Sequence, residues 1–198
     1  MLPRGNAKLI QIVDAAFADA ARRAGPHLVC RLGCTQCCHG VFPINQLDAA
    51  RLRHGLKLLT RTDPELALRI RQRAEGSVDL LKNEFPGDIT TGILSEDESA
   101  ETAFEHFADD EPCPALDLIT GACNLYAYRP ITCRVFGPPV RSEGGLGICE
   151  LCFKNASDEV IADCEMHPDP DDLESKLVAK VEQLSGRRGT TIIAFALL

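Results

Sequence analysis

Four thiols fall within nine residues, at Cys30, Cys34, Cys37 and Cys38. An ordinary apolar core has no need of that density. Thiolates at such spacing suit a soft or borderline ion such as zinc, or an iron–sulfur cluster. Six further cysteines follow, at 113, 123, 133, 149, 152 and 164. The fold must therefore bring distant thiols to the first group, or bury some of them as small apolar residues. His39 and His167 are further donors of a kind zinc accepts. Side chains of neighbouring residues diverge in extended backbone. Cys37 and Cys38 are therefore expected to serve two metals, or a polynuclear cluster and a second site. Ten cysteines supply two four-thiolate sites with two left over.

Cysteine richness has two readings, disulfides or metal. Residues 1–25 intersperse their apolar positions with Asp14 and Asp19, unlike a secretory signal. No run approaches the length of a membrane-spanning helix, and Ile192 to Leu198 is far too short. The expectation is a cytoplasmic protein with reduced thiols, where metal is the better reading. A net charge of −8 without a basic stripe argues against nucleic acid as partner. No membrane partner is expected, and a protein partner or protein substrate is left open. No Walker loop or nucleophile–histidine–acid set is legible, so hydrolysis and nucleotide chemistry lack support. Gly144-Gly145-x-Gly147 reads as a turn.

Helical periodicity runs through residues 6–24, with Leu9, Ile12, Val13, Ala16, Phe17 and Ala20 on one stripe, and Gly25-Pro26 ends it. Asn45 caps a helix over 46–59, and Asp63-Pro64 opens another to about 74, with a further piece over 76–84. Arg61, Arg69, Arg71, Arg73 and Lys82 read as a solvated face. Residues 87–112 are polar and acidic and read as a solvated helix or flexible loop. Residues 112–153 lack periodicity and should be irregular. Helix returns over 171–185 on Leu173, Leu177, Val181 and Leu184, and 190–197 reads as a strand or packed tail. The fold class is mainly α: helices around an irregular, cysteine-rich metal-binding region, with little β. The chain reads as one domain over 1–198, with a metal-binding core at 30–153 and a C-terminal extension at 154–198. Arg31, Arg129 and Arg134 can offset thiolate charge and donate to sulfur, and Pro130 should hold Arg129 extended.

Cys30 to Cys38, the Ile44–Leu52 segment, Cys113-Pro-Ala-Leu116 and Cys123-x2-Tyr126-x2-Arg129-Pro130-x2-Cys133-Arg134-x-Phe136 together resemble the YkgJ-type cysteine-cluster family, the CxxCxxCC zinc- or iron-chelating proteins. The resemblance implies metal binding by Cys30, Cys34, Cys37, Cys38, Cys113, Cys123 and Cys133, with Cys149 or Cys152 as a further ligand. The family's proline after the phenylalanine is displaced here to Phe136-Gly137-Pro138. The expected cofactor is an iron–sulfur cluster, slightly favoured, or zinc. A redox role is one expectation, and methyl transfer enters by resemblance to flagellin lysine methylases. The alternative is a zinc-stabilised, non-catalytic binding or metal-handling module. Cys30-x3-Cys34-x2-Cys37 is also the spacing of radical S-adenosylmethionine enzymes, but the strand–helix repetition they need is missing.

Overall fold

The computed structural model describes residues 2–105, 107–142 and 145–198. It is mainly helical, with two two-stranded sheets among the described residues. Helix α1 spans Asn6–Ala24 and buries Leu9, Val13 and Ala20 of its predicted stripe. Helix α2 (Gln46–Thr62) starts at Asn45, whose side chain accepts from the Asp48 amide at 3.0 Å. Helix α3 (Pro64–Leu81) starts at Asp63, which accepts from the Leu66 amide at 2.9 Å, with Pro64 in the first turn. The break expected near residue 75 does not occur. A single glycine costs about 1 kcal/mol in a helix, and Ala67, Ile70, Ala74 and Ser77 keep the inward face of α3 continuous past Gly76.

The chain forms two compact units. The first is built on residues 35–130 and 178–198, the second on 3–34 and 131–177. In the first, α2 and α3 pack on each other and on α8 (Ile193–Ala196). Leu47, Leu52, Leu56, Ala67, Ile70, Ile192 and Leu197 are buried there. Thr191 makes single bridges to Ile44 and Ile93, and the chain then turns into α8. Only the start of the 190–197 segment is thus strand-like. Strands β1 (Gly87–Asp88) and β2 (Ile93–Leu94) pair antiparallel, Gly87 opposite Leu94. Beside them Phe85, Leu94, Phe107, Ile192 and Ala194 form an apolar cluster. Helix α4 (Glu98–Phe104), capped by Asp97, carries part of the acidic stretch. Its Glu98 and Glu101 are exposed, whereas 87–94 pairs as β1 and β2 and, with Phe107, departs from the solvated helix or loop expected over 87–112 because Leu94 and Phe107 are buried.

In the second unit α1 packs on the short α5 (Ile131–Val135). Arg134 joins them, its guanidinium 2.8 Å from the Asp14 carboxylate. Strands β3 (Val140–Ser142) and β4 (Gly145–Gly147) form a hairpin; Gly144, in the expected turn, lies outside the described residues. Arg141 grips Glu165 with two hydrogen bonds of 2.9 Å. Helix α6 (Asp158–Asp163) is capped by Ser157. Helix α7 (Leu173–Ser185) crosses the division between the units, after Leu177. Leu177 and Val181 of its stripe are buried, but Leu184, in the last turn before Gly186, is exposed.

Candidate metal centres

In the first unit three pieces of chain bring four thiols together. Cys37 and Cys38 sit in one 3₁₀ turn, closed by the Cys38 amide donating to the Thr35 carbonyl at 2.8 Å. The Cys38 carbonyl in turn accepts from the Cys113 amide at 2.8 Å, and His39 bridges Pro112. Cys113 and Cys123 flank a hairpin-like loop. The Asn124 amide donates to Ala115 and the Asp117 amide to Ala122, both at 2.8 Å. The Asp117 carboxylate closes the tip by accepting from the amides of Ile119 and Thr120 at 2.9 and 3.1 Å. Cys38 consequently feels the charges of Cys37, Cys113 and Cys123.

The adjacent thiols converge rather than diverge: Cys37 and Cys38 hydrogen-bond to each other. A 3₁₀ turn advances about 120° per residue instead of the 180° of a strand, which corrects the expectation drawn from extended backbone. The Cys38 hydrogen bond, with help from the Arg129 charge, brings Cys37 down to about 6. Cys38 is pushed up, first by donating that bond and then by burial. Burial takes Cys113 up to about 12, against the opposing pull of the Ala115 and Leu116 amides and of Arg73. Cys123 is also raised by burial, opposed by the Leu125 amide and Arg129. These amides favour thiolate, since hydrogen bonding to a charged form stabilises it.

Two cationic side chains serve this group. Arg129 is held extended (ψ 149°) before Pro130, and its guanidinium lies 3.9 Å from the centre of the Tyr126 ring. Arg73, assigned from sequence to a solvated face, instead points inward from α3. Its Nε donates to the Pro114 carbonyl at 2.8 Å. Its Nη2 is buried with no hydrogen-bond partner among the described residues, as is Nδ2 of Asn124. The missed signal was spacing: Arg73 follows the buried Ile70 by three residues, hence on nearly the same helix face.

The second unit gathers another group. The Sγ atoms of Cys30 and Cys152 are 4.0 Å apart, and Cys30 also feels the charges of Cys149 and Cys34. Cys149 and Cys152 share a turn closed by the Cys152 amide donating to the Cys149 carbonyl at 2.9 Å. The Cys149 thiol accepts from the amides of Leu151 and Cys152. The Phe153 amide donates to the His27 carbonyl at 2.8 Å, and the two rings stack at 5.9 Å. Cys30 is exposed as a residue, yet its sulfur lies beside Gly137. Desolvation, followed by Cys152, pushes its thiol up to about 12. Gly137 has φ +127°, and a Cβ there would lie 2.8 Å from the Cys30 sulfur. Gly137 thus makes room for the Cys30 thiol.

Among the remaining candidates, Cys133 is half-buried on α5. Cys164 is 2% exposed and packs with Ala24, Cys149, Cys152 and Phe153 in an apolar cluster. His39, His167 and Arg31 are exposed. Arg134 pairs with Asp14.

All ten cysteines are free thiols. Among the described residues no group of three or more cysteine, histidine, aspartate or glutamate side chains is placed to hold a metal ion. Their chemistry nevertheless suits a metal. Two ligands of one tetrahedral ion with Zn–S near 2.3 Å stand about 3.8 Å apart, close to the 4.0 Å between Cys30 and Cys152. Backbone amides and arginines face the sulfurs, as metal-bound thiolates require.

Free thiols brought near one another on turns and loops suit metal chelation. Residues 29–153, more than half of the chain, match the CxxCxxCC family, described as "Putative zinc- or iron-chelating domain", and the protein belongs to that family. The description supports metal binding through the cysteines. No curated protein and no solved structure matches the chain. Among the described residues no helix is long and apolar enough to cross a membrane.

Proposed function

We propose that the protein holds mononuclear zinc on cysteine thiolates and acts as a non-catalytic binding or metal-handling module of the cytoplasm. The observation that carries this reading is the 4.0 Å separation of the Cys30 and Cys152 sulfurs, suited to two ligands of one ion. In a four-iron, four-sulfide cluster each thiolate caps its own iron, and the cluster body holds the cysteine sulfurs further apart, so this separation disfavours a four-iron cluster. Ten free thiols, two of them at this separation without a disulfide, favour a reducing compartment. The net charge of −8 favours a protein partner over nucleic acid or an anionic membrane.

The side-by-side pair Cys37–Cys38 favours a second reading, an iron–sulfur cluster with a redox or methyl-transfer role, because a cluster offers neighbouring irons to neighbouring thiolates. Anaerobic purification with metal analysis and visible absorption separates the two. Colourless protein with stoichiometric zinc supports the first reading. Brown protein carrying iron and sulfide replaces it with the second.

A further inference from the structure

We propose that Arg53 and Arg187, brought together on one face of α2, form a binding site for the phosphoryl group of a small molecule. The site stands apart from the thiols and does not depend on the metal. Residues 186–189, Gly-Arg-Arg-Gly, follow α7 within the first unit. Three hydrogen bonds pin this loop. The Gly186 amide donates to the Glu182 carbonyl at 2.9 Å, the Gly189 amide to the Glu182 carboxylate at 3.1 Å, and Gln46 Nε2 to the Gly189 carbonyl at 2.9 Å. Gln46 opens α2, and Arg53 lies about two turns further along the same helix face. Lys57 follows one turn later and is exposed. The hold of Gln46 on the loop thus brings Arg187 to the face that carries Arg53 and Lys57, and Arg53 feels the Arg187 charge.

Arg53 is half-buried and Arg187 exposed, and among the described residues neither guanidinium has a hydrogen bond or an ion pair. Burial, and then the Arg187 charge, lower Arg53 from the usual guanidinium range. The chain has 29 acidic side chains against 21 lysines and arginines, so carboxylates are plentiful, yet none among the described residues is placed to pair with either arginine. Of the carboxylates beside the loop, Glu182 is engaged by the Gly189 amide, and Glu96 stands against Gly189. A half-buried guanidinium facing a second one is unfavourable by itself, and a doubly charged oxyanion offsets both. Guanidiniums present paired donors that match phosphate oxygens, and Lys57 adds a point charge at the rim. A single carboxylate would leave one arginine uncompensated. The net charge of −8 opposes approach of a nucleic acid or an anionic bilayer, whereas a small ligand meets chiefly the local field.

Calorimetric titration of the full chain with inorganic phosphate and with phenyl phosphate, at constant ionic strength in chloride, tests this. The expected result is one site per chain, weakened on the order of 10-fold by Arg53→Gln and by Arg187→Gln. Arg53→Lys keeps the charge without the planar fork, so only part of the affinity returns. Arg22→Gln, whose partner is Asp19, should bind like the parent. Thermal unfolding supplies a second readout. Without phosphate, Arg53→Gln should be at least as stable as the parent, because the repulsion is gone; when phosphate replaces chloride, only the parent should gain. Arg187→Gln, on an exposed loop, carries the test if Arg53→Gln folds poorly. Binding unchanged in both glutamine variants would place the phosphate elsewhere, for example on a thiol-bound metal, and overturn the proposal. No binding of either probe would overturn it too. So would Arg53-dependent binding to phosphatidylglycerol vesicles without binding of the soluble probes, which would assign the site to a membrane surface.

Discussion

From α3, whose Arg69 is exposed, Arg73 reaches the first thiol group. Its Nε is committed to the Pro114 carbonyl, next to Cys113, while Nη2 has no partner among the described residues. A buried cationic donor beside thiolates both offsets their charge and strengthens them as ligands. Arg73→Met is therefore expected to weaken metal at the first thiol group on the order of 10–100-fold, measured by competition with a chromophoric chelator. Arg73→Lys should restore charge without the planar fork, so only part of the affinity returns. Unchanged affinity in both variants would reduce Arg73 to a packing residue. Cys164 gives the opposite expectation. It lies in apolar surroundings, so Cys164→Ala should keep the full metal content and lose about 1 kcal/mol of stability. At this scale the density of Cys30 to Cys38 was legible, because spacing alone constrains thiol chemistry. The convergence of Cys37 with Cys38 was not, because it depends on a 3₁₀ turn that their identities do not encode. The choice between Cys149 and Cys152 was equally closed to sequence; one turn puts both in the second group.

Elements with a capping residue were readable. Asn45 and Asp63 each accept an amide at the helix start that their chemistry predicts. The segment 190–197 was not readable, because it is apolar on nearly every side and periodicity cannot separate strand from helix there. It is buried because α8 closes the core of α2 and α3. Gly55 in α2 is another case that only packing explains. A Cβ at Gly55 would overlap the Tyr128 ring, which also meets His54 edge-on at 5.7 Å. The ring thus lies on the helix and anchors the segment that runs from Cys123 to Arg129. Alanine has the better helix propensity by about 1 kcal/mol, yet Gly55→Ala is expected to destabilise the protein by roughly 1–3 kcal/mol through overpacking. Urea denaturation measures the sign. A stabilised variant would mean that the ring does not rest on α2.

At the scale of the whole molecule, sequence could not reveal the two units, because each joins segments far apart in the chain. A linear reading sees a motif at 30–38 and a cysteine-rich second half; the partition of the thiols appears only once the chain is folded. The metal-free state has a consequence for proton balance. Cys30 and Cys113 are held up to about 12, so both carry a proton at pH 7, whereas Cys37, brought down to about 6, is mostly thiolate there. A metal takes only the thiolate, so loading must expel protons from the raised groups. Mass action then sets the sign: each proton expelled makes the apparent affinity rise about tenfold per pH unit. Affinity for Zn²⁺ is expected to fall from pH 8 to pH 6, and to fall less per thiol in the group that contains Cys37 once the pH stays above 6. Calorimetric titration in buffers of different ionisation enthalpy counts the protons directly. Fewer than four protons are expected for an ion held on four thiols that include Cys37, because that thiol is already ionised at pH 7. An affinity independent of pH across this range would mean that the thiols are ionised before metal arrives, and the repulsion and burial that raise them would have to be answered by cations nearer the sulfurs than Arg73 and Arg129.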